Sequence, residues 1–186
     1  MKNIVFTLFL IWVGYQSVAQ SRFIDRAGEA HFFSASPIEN IEAFNKQALS
    51  VLDMQTGEIL AVVLMKSFEF EKSLMQEHFN ENYVESDKYP KATFKGKILN
   101  LKEVDFTKDG TYVLQVDGEM SLHGVTRSVN TKAEATITNG AIQAKAEFYL
   151  AVKDFNIEIP RLVVNNISEK IRVNVKFRYQ PAKTKP

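Results

Sequence analysis

From Tyr112 to Leu122 the chain alternates. Tyr112, Leu114, Val116, Gly118, Met120 and Leu122 fall on one parity, and Val113, Gln115, Asp117, Glu119 and Ser121 on the other. The same period returns at Ile142, Ala144, Ala146, Phe148, Leu150 and Val152, set against Gln143, Lys145 and Glu147. It returns again at Ile171, Val173, Val175, Phe177 and Tyr179, set against Arg172, Asn174, Lys176 and Arg178. Successive side chains of a strand point to opposite faces, so a period of two predicts strands with one covered face and one wet face. Such strands belong to antiparallel sheets, because parallel strands are covered on both faces and read as continuous apolar runs. Further strands are predicted from Ala48 to Met54, from Ile59 to Met65 and from Ala92 to Asn100. The run from Ile59 to Met65 is apolar on both parities, which predicts cover on its outer side as well.

Turn chemistry agrees with this reading. Asn139-Gly140 lies between two alternating segments, and both residue types tolerate the positive φ that a tight hairpin needs. Asp109-Gly110 is predicted as a second turn, and Thr56-Gly57 separates two of the strands. From Glu71 to Glu81 the strand period fails. There Phe70, Leu74, Met75, His78 and Phe79 predict a short amphipathic helix, suited to a lid or plug at one end of the fold. Tyr83 to Pro90 reads as a polar connection. Many alternating strands with one short helix make a sandwich or a barrel. A barrel of about eight strands has an interior just wide enough to be filled by side chains or to hold one small ligand.

The first residues add a compartment. Lys2, the apolar run from Ile4 to Val13 and the small residues of Ser17-Val18-Ala19 have the layout of a secretory leader, cleaved after Ala19. The run is shorter than the roughly 20 residues a membrane span needs, and no second such run follows, so no integral membrane span is expected after leader removal. Loss of residues 1–19 removes Lys2 and no acid, so 23 basic residues become 22 against 22 acidic ones. Balanced charge leaves no footprint for nucleic acid. The chain has no cysteine, which excludes disulfides, thiolate metal sites and a cysteine nucleophile. It also favours a bacterial periplasmic or secreted location over a eukaryotic one, where Asn166-Ile167-Ser168 would be a glycosylation sequon. One domain is expected from residue 20 to residue 180, with a disordered tail over 181–186. The composition leaves a homodimer open.

Two blocks carry a resemblance. The first is His78-Phe79, Asn82-Tyr83 and Lys88-Tyr89-Pro90-Lys91-Ala92-Thr93-Phe94, and the second is Met120-Ser121-Leu122-His123-Gly124-Val125-Thr126-Arg127. Together they resemble the YceI-like family of exported bacterial proteins, over roughly Phe23 to Tyr179. The resemblance implies an all-β fold, an eight-stranded antiparallel lipocalin-like barrel, with a polyisoprenoid or similar lipid held in the lumen. Two departures fall near the expected ligand. Ser67-Phe68-Glu69-Phe70 stands where the family commonly has Ser-Ile-Asp-Thr, and Lys153-Asp154-Phe155-Asn156 stands where it has an arginine and then Asp-Phe-Gly. Asn156 can adopt the left-handed conformation in place of glycine. The two extra phenylalanines are expected to narrow the cavity.

On this reading the lumen is lined by Phe94, Ile98, Leu114, Val116, Met120, Ile142, Ala146, Phe148, Leu150, Val173, Val175 and Phe177. The opposite parity, with Gln115, Asp117, Lys145, Glu147, Arg172, Lys176 and Arg178, must face water, since unpaired burial would cost several kcal/mol each. A long-chain apolar lipid or isoprenoid is the expected partner. Each buried methylene contributes about 0.8 kcal/mol against an association cost of roughly 4–15 kcal/mol, so a chain of about a dozen carbons or more is required. Small inward residues, Gly118, Ala144 and Ala146, leave room for it. The alternative is a barrel filled by its own side chains, acting as a non-catalytic envelope or secretion accessory.

Catalysis and metal binding are weaker readings. His31, His78 and His123 lie on distant segments without ligand spacing, so no metal site and no cofactor is expected. His123, beside Gly124, reads as a turn histidine bonded to backbone. Ser121, His123 and Asp117 cannot form a triad within one strand, where residues two apart stand roughly 7 Å from each other, and no nucleophile elbow is present. The chain is therefore not expected to be an enzyme.

Overall fold

A computed structural model describes residues 21–37, 39–160 and 167–182. The leader, Asn166 of the sequon and residues 183–186 of the tail lie outside the described residues. The chain forms nine strands: β1 Arg22–Ser34, β2 Ile41–Asp53, β3 Glu58–Leu64, β4 Glu69–Phe70, β5 Lys91–Ile98, β6 Gly110–Leu122, β7 Val125–Thr138, β8 Ala141–Ala151 and β9 Lys170–Pro181. Every pairing among them is antiparallel, in the order β1-β9-β8-β7-β6-β5-β3-β2, and β1 also pairs with β2. Eight strands thus close into a barrel, which satisfies every strand edge. The two-residue β4 adds a short ninth strand on β2 near its start, pairing Phe70 with Ala43.

The predicted strands of β2, β3, β5, β6, β8 and β9 are present, β2 starting earlier than expected at Ile41, and β5, β6, β8 and β9 turn the expected parity inward. β1 and β7 have no counterpart among the patterns read from sequence. In β1 a bulge between Asp25 and Gly28 flips the parity, so Phe23 and Asp25 face inward before it and Gly28, Ala30, Phe32 and Ser34 after it. β9 runs through Pro181, and the Ala182 N–H donates to the Arg22 carbonyl at 2.9 Å. The β7–β8 hairpin turns at Asn139 and Gly140, both at positive φ (50° and 77°). Asp109-Gly110 is not a turn. The chain turns earlier, where the Asp105 side chain accepts from the Thr107 N–H and Oγ1, and Asp109 instead accepts from the Asn139 N–H at 2.8 Å. The outer side of β3 is also uncovered, with Leu60 37% and Leu64 47% exposed.

The lower end of the barrel is a closed core. Phe23, Leu52, Ile98, Leu114, Ile137, Ile142 and Tyr179 are all buried there. The inward polar groups Asp25, Asn45, Ser50 and Tyr179 are hydrogen-bonded. The Asp25 carboxylate accepts from the N–H groups of Ala27 and Arg178, and buried Asn45 donates to the Leu64 carbonyl at 3.0 Å. Ser50 Oγ shares a 2.7 Å hydrogen bond with Tyr179 Oη and donates to the Leu60 carbonyl. Burial pushes the Tyr179 hydroxyl up to about 12, the nearby Asp25 charge acting in the same direction and the Ser50 bond against it.

Candidate functional site

The lid is built where the strand period fails. α1 spans Ser73–His78, and a π-helical turn, Phe79–Tyr83, continues it. π-helical turns of this kind recur at functional sites. Phe70, Met75 and Phe79 turn inward as expected, whereas Leu74 points outward at 59% exposure. Neighbouring helical positions lie about 100° apart, and of this pair Met75 takes the cavity side. Phe79 meets three rings, those of Phe32, Phe68 and Phe70, at centroid distances of 5.4, 5.7 and 5.0 Å. Phe68 and Phe70 are the two aromatic departures noted in the sequence, and they form the underside of the lid.

A second connection closes the other side of the same rim. Val152–Phe155 is a short 3-10 turn ending at Asn156, whose φ of 55° is left-handed. Phe155 is buried and lines the cavity. Its carbonyl oxygen lies 3.0 Å from His123 Nδ1, while His123 Nε2 lies 2.7 Å from the Glu85 carboxylate. His123 itself sits at φ 50° in the β6–β7 turn, with the Tyr89 ring edge-on at 4.6 Å. The backbone-bonded turn histidine expected from sequence is present. Its bond to Glu85 was not legible there, because the two residues are 38 positions apart. His123 thereby ties the β6–β7 turn to both rim connections. Ser121 Oγ bonds Thr126 Oγ1 at 2.7 Å, so it does not meet His123. The three histidines are dispersed: His31 stacks on Phe44 outside the barrel, His78 borders the lid, and His123 clamps the rim. Among the described residues no group of three or more His, Asp or Glu is placed to hold a metal ion.

Between lid and closed end the lumen has two chambers. The upper, under the lid, has a volume of about 310 Å³, and the lower about 120 Å³. Of the side chains expected to line the lumen, Leu150 and Val173 border the upper chamber, and Phe94, Ile98, Leu114, Val116, Ala146 and Phe177 the lower. Met120, Phe148 and Val175 border both. Ile142 is buried in the closed end beside Ile137 and borders neither chamber. Sequence reasoning missed the rim residues Phe32, Val84, Phe155 and Ile157, which lie on β1 or in connections without a strand period, and Met65, which ends the predicted run from Ile59 but reaches the chamber from a 3-10 turn. Among the described residues, the polar side chains of the upper chamber are Ser34, Glu39, His78 and Tyr83. Glu39 is held by Lys72, and Ser34 Oγ accepts from the Ser168 N–H at 2.8 Å. Burial raises the Tyr83 hydroxyl above its ordinary value.

The inward glycines do not create the lower space. A Cβ on Gly118 would lie 2.8 Å from the Phe94 ring and 2.4 Å from the Lys95 carbonyl oxygen, and one on Gly28 would lie 2.4 Å from the Phe177 ring. Phe94 and Phe177 occupy the space beside those glycines and so leave the lower chamber the smaller one.

A closed antiparallel barrel with a lidded apolar lumen is the architecture of the lipocalin-like barrels. Within that class the chain belongs to the YceI-like family, whose domain model matches residues 20–179. Solved structures share the fold. A polyisoprenoid-binding domain from Saccharophagus degradans implicated in plant cell wall breakdown superposes with a TM-score of 0.75 at 14% identity, covering 88% of this chain and 99% of that one. Burkholderia cenocepacia BcnA gives 0.66 at 13% identity, covering 82% and 96%. The Campylobacter jejuni YceI protein gives 0.59 at 16% identity, covering 81% and 90%. No curated protein sequence matches the chain.

Proposed function

We propose that this protein is an exported, non-catalytic carrier or scavenger that holds an apolar lipid chain in its barrel. The observation that carries this reading is the upper chamber: about 310 Å³ between the barrel, the aromatic lid and Phe155, with four polar side chains among the described residues of its wall. Such a space favours apolar chains, since water inside would find few of the two to four polar partners it needs. The family supports a lipid, and the printed name of the Saccharophagus degradans domain makes an isoprenoid chain one candidate. The leader-like residues 1–19 support export to the periplasm or beyond, and no helix among the described residues is long and apolar enough to cross a membrane. The filled interior that an accessory-protein reading requires is met only in the lower half, where Phe94 and Phe177 occupy the glycine hollows.

Native mass spectrometry of protein purified from the exported fraction tests this. The expected result is a mature chain beginning at or near Gln20 that carries one apolar molecule, released by organic extraction. A chain that retains residues 1–19 in the cytoplasm would end the export reading. A lumen that stays lipid-free even after incubation with a total lipid extract would end the carrier reading.

A further inference from the structure

The upper chamber is finite, and its floor can be named. Val63, Ala92, Met120, Phe148 and Val175 border both chambers and so mark where the two adjoin. They come from five different strands, β3, β5, β6, β8 and β9, and make one layer across the lumen. Phe148 and Met120 are its two large side chains. We infer that this layer measures chain length, so that the site takes a single apolar chain of about twelve carbons with its polar end at the rim. This rests on the carrier reading above.

The size follows from the volume. A protein cavity of about 150 Å³ holds one six-carbon benzene ring, so about 310 Å³ accommodates about a dozen carbons. The lower chamber, at about 120 Å³, would add roughly five carbons if this layer opened. Isoprenoids of several tens of carbons exceed both chambers together. The polar end has two partners at the rim: the His78 imidazole and the Tyr83 hydroxyl border the chamber, while Ser34 and Glu39 are already engaged by Ser168 and Lys72. Among the described residues, Lys72 at this rim is neutralised by Glu39. The rim groups among the described residues suit a hydroxyl or a single carboxylate better than a multiply charged diphosphate.

The test is calorimetric titration of the delipidated mature protein with saturated fatty acids of 8 to 18 carbons. In the wild type, affinity should rise roughly fourfold per added methylene up to about twelve carbons and stay flat beyond. In Phe148→Ala the rise should continue to about sixteen or seventeen carbons. Met120→Ala serves in its place if that variant does not fold. A wild-type affinity that climbs steadily through 18 carbons would overturn the length limit and leave the carrier reading standing. An unmoved plateau in both variants would overturn the role given to this layer. Binding at no length would remove the carrier reading and this inference together.

Discussion

Tyr179 shows how a single inward polar residue is tolerated in an apolar barrel. Its hydroxyl is buried against Ser50 Oγ at 2.7 Å, and the deprotonated form is disfavoured because it would place an anion in a low-dielectric interior near Asp25. The folded value of about 12 lies above the ordinary value of 10.0. The folded state therefore holds this proton more tightly than the unfolded state, and the associated stability is complete below pH 10. It is lost as pH rises from 10 through 12. At pH 11 the loss is about 1.4 kcal/mol, one pH unit of linkage. Urea unfolding at pH 8 and pH 11 should show that extra fall in the wild type and not in Tyr179→Phe. The variant itself should lose about 1 kcal/mol at pH 8, because Ser50 keeps its bond to the Leu60 carbonyl. The inward position of Tyr179 was legible from its parity with Val175 and Phe177. Its partner was not, because Ser50 lies 129 residues away.

Among the elements, the lid is the least anchored. α1 buries no residue of its own, and Phe79 of the π-helical turn fixes the lid through its ring contacts with Phe32, Phe68 and Phe70. Phe79→Ala should cost about 2 kcal/mol locally, below the 3–5 kcal/mol of a fully buried ring because Phe79 is half-buried. Hydrogen exchange should then speed up over residues 73–84 and stay unchanged in β6 to β9. Uniform acceleration across the barrel would show that the lid is part of the global folding unit instead. The same contrast explains which elements the pattern revealed. β6, β8 and β9 alternate large apolar and charged residues, so their period is strong. β7 also alternates, with Val129, Thr131, Ala133, Ala135 and Ile137 inward and Ser128, Asn130, Lys132 and Glu134 outward, but three of its inward side chains are small, so the reading from large apolar residues passed it over. β1 loses its period at the bulge after Asp25, where the carboxylate binds the Ala27 N–H and the strand changes parity.

At the scale of the whole molecule, the barrel divides its interior between a filled half and a hollow half. Ala146→Trp probes that division. Ala146 borders the lower chamber beside Phe148, and an indole is larger than the benzene that fills about 150 Å³, whereas the chamber offers about 120 Å³. Overfilling should cost about 1–3 kcal/mol, read as a lower urea midpoint in delipidated protein. Binding of a twelve-carbon chain in the upper chamber should persist. An unchanged midpoint together with lost lipid binding would mean that the two chambers form one continuous cavity in solution.

The alternation of apolar and charged residues determined by itself that this chain forms antiparallel strands, which side of each faces inward, and where Asn139-Gly140 turns it back. Those properties depend on neighbours two positions apart, and side chains on a pleated strand have no other way to separate water from core. Closure of β1 onto β2, the Phe94 and Phe177 rings seated over glycines, the His123–Glu85 bond and the meeting of the two chambers at Met120 and Phe148 were decided by the tertiary structure alone. Each depends on the distance between residues remote in sequence and on which way a large side chain rotates once neighbouring strands have arrived. Empty space in a barrel is the remainder of such choices, and no local pattern records it.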